Sequence, residues 1–174
     1  MLAMLHAVQI LVLASFAILV IVAALRDVTS YTIPNALSLA LVAIFPLAAL
    51  ALGLPLSTIG LNLAVGAAAL IAGMAMFALG WIGGGDAKLF AAAALWLGWP
   101  AAVTDLAVTG LAGGGLALGL LTLRSPVVRP FVLGGPAWFG RLAEPGENVP
   151  YGVAIAVGAL AAFPLSAMMA HFSN

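Results

Sequence analysis

The sequence contains no cysteine. That absence excludes structural disulfides, thiolate zinc sites and a cysteine nucleophile. Charge is nearly as scarce, with five Lys and Arg and five Asp and Glu in 174 residues. The net charge is near zero, so nothing in the chain provides the basic surface that nucleic acid requires. A charged fraction of 6%, against roughly 25% in soluble domains, also excludes an ordinary water-facing surface. No Lys or Arg precedes the first apolar run, and that run is too long for the core of a cleavable signal peptide.

What the chain has in quantity is hydrophobic residues, at 66%. This composition predicts an all-α integral membrane protein, one domain over residues 1–174, with lipid covering its apolar surface. A span needs about 20 apolar residues to cross a core of about 30 Å. Runs of that kind predict spans near 4–25, 36–54 and 58–82, with Pro46 as a kink. Between Asp86 and the break at Gly98-Trp99-Pro100 there are too few residues for an ordinary span, yet one helix from Lys88 to Leu123 would be far too long. The block is therefore divided into 86–99 and 101–123. Residues 124–150 carry three Arg and five of the ten Pro and read as a loop outside the membrane. A final span over 151–172 completes a bundle of six transmembrane helices. Arg26, Lys88, Arg124, Arg129 and Arg141 all fall in the first, third and fifth loops. The excess of Lys and Arg on cytoplasmic loops places these inside and both termini on the outer side.

Each ionisable group in so apolar a chain needs a reason, since one held at membrane depth costs about 3 kcal/mol. Asp27 closes the first apolar block and opens Asp27-Val28-Thr29-Ser30-Tyr31-Thr32-Ile33-Pro34-Asn35. Asp86 ends the glycine run of Trp81-Ile82-Gly83-Gly84-Gly85-Asp86-Ala87-Lys88-Leu89. Taken singly, each acid reads as an interfacial charge: Asp27 beside Arg26, Asp86 at a helix start near Lys88. Taken together, two acids on one predicted side of the membrane are able to meet. Paired carboxylates share a proton, so the ionised one activates water while the other donates to a carbonyl. Glycines before Asp86 allow close approach of backbone. Lys88 is two residues on and points from a different face. Two carboxylates fall short of the six or more oxygens a hard cation takes, so no metal is expected.

The stretch from Asp27 to Ile33-Pro34-Asn35, followed by Gly83-Gly84-Gly85-Asp86-Ala87-Lys88-Leu89, resembles the paired signature of the type IV prepilin peptidases, membrane aspartic proteases with a Gly-x-Gly-Asp motif. The tail Val149-Pro150-Tyr151-Gly152-Val153-Ala154-Ile155-Ala156 resembles the small CpaA/TadV-like branch that serves Flp-type (tad) pili. The resemblance implies Asp27 and Asp86 as the catalytic pair, with Gly83, Gly85, Lys88, Pro34 and Asn35 in support, and no cofactor. It implies a prepilin or pseudopilin substrate, cut between its basic leader and its hydrophobic helix at the cytoplasmic face of a bacterial inner membrane. Two features depart from the family: no Arg or Lys lies between Val28 and Thr32, and the cysteine-bearing insertion of the larger members is missing. Methylation of the new N-terminus is therefore not expected. The competing class is a small polytopic transporter or a pilus or secretion assembly subunit that uses both acids without hydrolysis.

Other marked residues have plainer readings. His6 and His171 fall near the outer face. Asp105, with Thr104 nearby, reads as serving the N-terminus of the fifth helix, and Asn62 as bonding a neighbouring helix. Trp81, Trp96, Trp99 and Trp138 suit interfacial belts or packing. The loop from Arg124 to Pro150, with Phe131, Trp138 and Phe139, reads as a plain connector, and its alternatives are a segment lying on the membrane surface and a substrate-docking element. Small residues four apart, as in Gly110 and Gly114, Gly115 and Gly119, Gly80 and Gly84, and the run Ala91 to Ala94, read as helix-packing positions.

Overall fold

Apolar runs free of breakers form the long helices, and proline and glycine mark where they start and stop. In the computed structural model, which describes residues 2–132, 137–146 and 148–173, the long helices are α1 (Leu2–Ser30), α2 (Asn35–Ala51), α3 (Leu56–Ala78), α4 (Gly84–Leu97) and α5 (Ala101–Leu123). Short helices α6 (Arg129–Val132) and α7 (Ala137–Leu142) precede α8 (Tyr151–Ala162) and α9 (Ala167–Phe172). Pro34, Pro55, Pro100 and Pro150 stand directly before α2, α3, α5 and α8. Gly53, Gly80 and Gly98 take positive φ just past α2, α3 and α4, backbone that glycine adopts without a Cβ penalty. No strand occurs among the described residues.

Hydropathy predicts six spans, and the structure corrects this to three helices long and apolar enough to cross: α1, α3 and α5. Length is the reason. Helix α2 has 17 residues and α4 has 14, about 25 Å and about 21 Å at the helical rise. The expected last span over 151–172 is broken, because Phe163–Leu165 forms a 3-10 turn containing Pro164 before Ser166 caps α9. Helix α1 runs on past Asp27 to Ser30 instead of stopping at Arg26-Asp27. Of the expected loop 124–150, residues 133–136 and Glu147 lie outside the described residues.

Helix α4 forms the centre. Ala91 to Ala94, Trp96 and Leu97 are all buried, in contact with α2, α3, α5 and α8. Trp96 is a core residue and not part of an interfacial belt: its Nε1 donates to the Leu41 carbonyl at 2.8 Å, and its ring meets Phe16 and Phe45. Helix α3 packs chiefly on α4, closely enough that a Cβ on Gly66 would lie 2.9 Å from Leu95 Cβ and one on Gly73 3.1 Å from Ala87 Cβ. Gln9 Nε2 donates to the Ala51 carbonyl at 2.9 Å, so the start of α1 meets the end of α2 and the pair is antiparallel.

Candidate functional site

The element order brings the end of α1 and the starts of α2, α4 and α8 to one end of the bundle, and both sequence-selected acids lie there. Tyr31 terminates α1 in a left-handed conformation, φ 52°, with its N–H donating to the Asp27 carbonyl at 2.8 Å. A non-glycine residue in that region marks a constrained reversal. The reversal carries Ile33 back over the acid end of the bundle. There a Cβ on Gly85 would meet Ile33 Cβ at 3.2 Å, and one on Gly152 would meet Ile33 Cδ1 at 2.9 Å. Ile33 is thus wedged between the glycine before Asp86 and the glycine that touches Asp27.

Asp27 is buried, with 6% of its surface exposed. Its Oδ2 accepts the Gly152 N–H at 2.7 Å. Asp86 sits in the first turn of α4, where its Oδ2 accepts the Gly83 N–H at 3.2 Å. It closes the helix N-terminus onto the residue that starts it. The two carboxylates are near enough for the charge of Asp27 to act on Asp86. Gly83 and Gly85 have separate duties, Gly83 as the N–H donor to Asp86 and Gly85 as the point of contact with Ile33.

Asp86 also lines a cavity of about 560 Å³ between α3, α4, α5 and α8, together with Met76, Phe90, Trp99, Leu106 and Tyr151. Lys88 does not share it. Its Nζ donates to Asn35 Oδ1 at 3.0 Å, on the opposite side of α4, as the spacing predicts. Pro34 starts α2 and brings Asn35 to that contact.

Gly152 is the residue that the charge pattern does not select. It lies 125 residues from Asp27, and nothing in its neighbours marks it as a donor. Its position is fixed from the loop side. Arg124, at the end of α5, donates from Nε to the Leu142 carbonyl at 2.9 Å and from Nη2 to the Asn148 carbonyl at 3.0 Å. The returning chain is held four residues before Gly152.

Asp105 corrects the reading that it serves the N-terminus of α5. It is fully buried, accepts from Thr109 Oγ1 at 3.0 Å, and faces Gly158 of α8 across a contact with no room for a Cβ. Its Oδ2 has no partner in the described structure. Asn62 is buried against Gly98, but its Nδ2 is likewise without a hydrogen bond, contrary to the expected interhelical bond. His6 stacks on Phe172 at 5.1 Å, and Trp81, Trp99 and Trp138 are exposed.

The sequence model described as the type IV leader peptidase family matches residues 14–118, a stretch that holds both Asp27 and Asp86. No curated protein and no solved structure matches the chain.

Proposed function

The chain belongs to the type IV leader peptidase family, and from that premise we propose that it is an aspartic endopeptidase whose working pair is Asp27 and Asp86. The single observation that supports this best is their convergence: two of the very few acids in the chain come from different helices to one end of the bundle. In this reading one carboxylate, ionised, takes a proton from water. The other, protonated, donates to the carbonyl of the bond being cut. The Gly152 N–H orients Asp27, and the Gly83 N–H orients Asp86. The cavity beside Asp86 offers apolar walls to a hydrophobic segment.

The proposed substrate is a prepilin or pseudopilin of the Flp type, cut between its basic leader and its hydrophobic helix. The acid end faces the cytoplasm of a bacterial inner membrane in this proposal. That orientation rests on the basic residues, since the order of the helices puts Arg26, Lys88 and Arg124 at the same end as the acids. The small Flp-serving branch is proposed from the tail Val149 to Ala156.

Co-expression with a candidate Flp-type prepilin, read by a gel shift on leader removal, tests the reading. Asp27→Asn and Asp86→Asn keep volume and polarity but cannot cycle a proton. Each variant is expected to accumulate and to lose about 10²–10⁴-fold in rate. The double variant should be no worse than either single, since residues acting as a unit are not additive. A well-accumulated single variant that still cuts near the wild-type rate overturns the proposal.

A further inference from the structure

Helix α4 has two occupied faces and two grooves beside them. Asp86, Ala87, Phe90 and Ala94 recur at helical spacing on the face toward the cavity already described. Lys88, Ala91, Ala92 and Leu95 recur at the same spacing on the other side and line a separate groove of about 510 Å³ between α2, α3 and α4. This second groove is apolar along Leu39, Val42, Leu63 and Leu70, and polar only where Asn35, Ser38 and Lys88 stand. Asn35 and Ser38 lie in the first turn of α2 and Lys88 just past the first turn of α4, so the polar part is at one end.

That end carries the one cation among the described residues that line the groove, Lys88. Lys88 Nζ has three donors; one goes to the neutral Asn35 Oδ1, and no carboxylate pairs with it among the described residues. The 17-residue α2 starts beside it with no side-chain cap, adding the positive end of its dipole. The volume speaks to what lies below the anion. A helix about 10 Å across would fill the groove within about one to two turns, whereas a single flexible chain fits along its length. A negative head joined to a long thin apolar tail is the chemistry of a phospholipid.

We propose that the groove between α2, α3 and α4 binds one anionic phospholipid, its phosphate at Lys88 and Asn35 and one acyl chain against Leu39, Val42, Leu63 and Leu70. The charge of Lys88 favours an anionic over a zwitterionic head, since a basic group at an anionic surface contributes about fivefold in affinity. The proposal does not depend on the peptidase reading, because occupancy is measured without cleavage.

Native mass spectrometry of the full chain in a neutral detergent, with phosphatidylglycerol and phosphatidylcholine in competition, tests it. The wild type is expected to prefer phosphatidylglycerol about fivefold. Lys88→Gln should lose that preference and Lys88→Arg keep it. Ala67→Phe, which places a ring in the groove, should weaken both lipids. Asp86→Asn, on the far face, should bind as the wild type does, so loss of cleavage in that variant is separable from loss of lipid. Lys88→Met replaces Lys88→Gln as the test if the latter fails to accumulate. Equal binding of the two lipids by the wild type overturns the proposal, as does a preference that survives loss of the Lys88 charge in Lys88→Gln or Lys88→Met. Competition by glycerol 3-phosphate as effective as that of the diacyl lipid also overturns it, because the groove would then contribute nothing. Displacement of the lipid by an apolar helical peptide would make the groove a peptide site and overturn it as well.

Discussion

Gly152 has no room for a methyl group. A Cβ there would stand 2.9 Å from Asp27 Oδ2 and 2.9 Å from Ile33 Cδ1, so Gly152→Ala must push the carboxylate off its hydrogen bond. We expect Gly152→Ala to accumulate normally and to lose about a hundredfold in leader cleavage, the scale of a misplacement of about 1 Å at a reacting group. A Gly152→Ala protein with full activity would show that this N–H does not position Asp27. Trp96→Phe is a contrasting case. It removes the 2.8 Å bond to the Leu41 carbonyl, which keeps its helical bond within α2, at a cost of about 1 kcal/mol. Thermal unfolding should register it, while cleavage per folded molecule should not change. That Asp27 and Asp86 share one end of the bundle was legible in the sequence, because charge is so rare that the two acids and the basic residues near them fix one side. Gly152 stood only as one position of the tail Val149 to Ala156, and its bond to Asp27 was not legible because the partner is 125 residues away. Asp105 was misread for a related reason: closeness to a helix start in sequence says nothing of the helix α8 that covers it.

Between elements, glycine spacing predicted the kind of contact and missed its place. Gly110, Gly114, Gly115 and Gly119 are four-apart pairs, yet each has open space where a Cβ would go. The close approaches are at Gly66 and Gly73 against α4, and at Gly113 and Gly158 between α5 and α8. Periodicity shows that a helix has a small face; it cannot show which face a neighbour takes. Gly73→Ala should therefore destabilise by about 1–3 kcal/mol through overpacking on Ala87. Gly114→Ala, with nothing within 4 Å, should stabilise by about 0.5–1 kcal/mol through helix propensity. Detergent-resistance or thermal scans of the pair decide the matter, and equal effects would contradict the packing described. Helix α5 was read from the sequence with its boundaries intact, because Pro100 and Arg124 bracket it. The last span was not, because hydropathy continues through Phe163 to Leu165 although the backbone changes its hydrogen bonding there.

Across the whole molecule, Ser30 at the end of α1 and Ser57 at the start of α3 lie at opposite ends of the bundle. Because the chain has no cysteine, single cysteines report cleanly on sidedness. With the acid end in the cytoplasm, cysteines at positions 30 and 125 should resist a membrane-impermeant thiol reagent in intact cells, and one at 57 should react. The reverse pattern would invert the orientation and place the acids away from a cytoplasmic substrate. Helix α4, packed on α3, also separates the two grooves. A 14-residue helix is the common wall of the two grooves, with Asp86 facing one and Lys88 the other. If an occupant of one groove favours a particular setting of that wall, thermodynamic reciprocity requires an occupant of the other to feel it by the same factor. Helix α4 is then a lever between what the membrane supplies on one side and what the acids receive on the other.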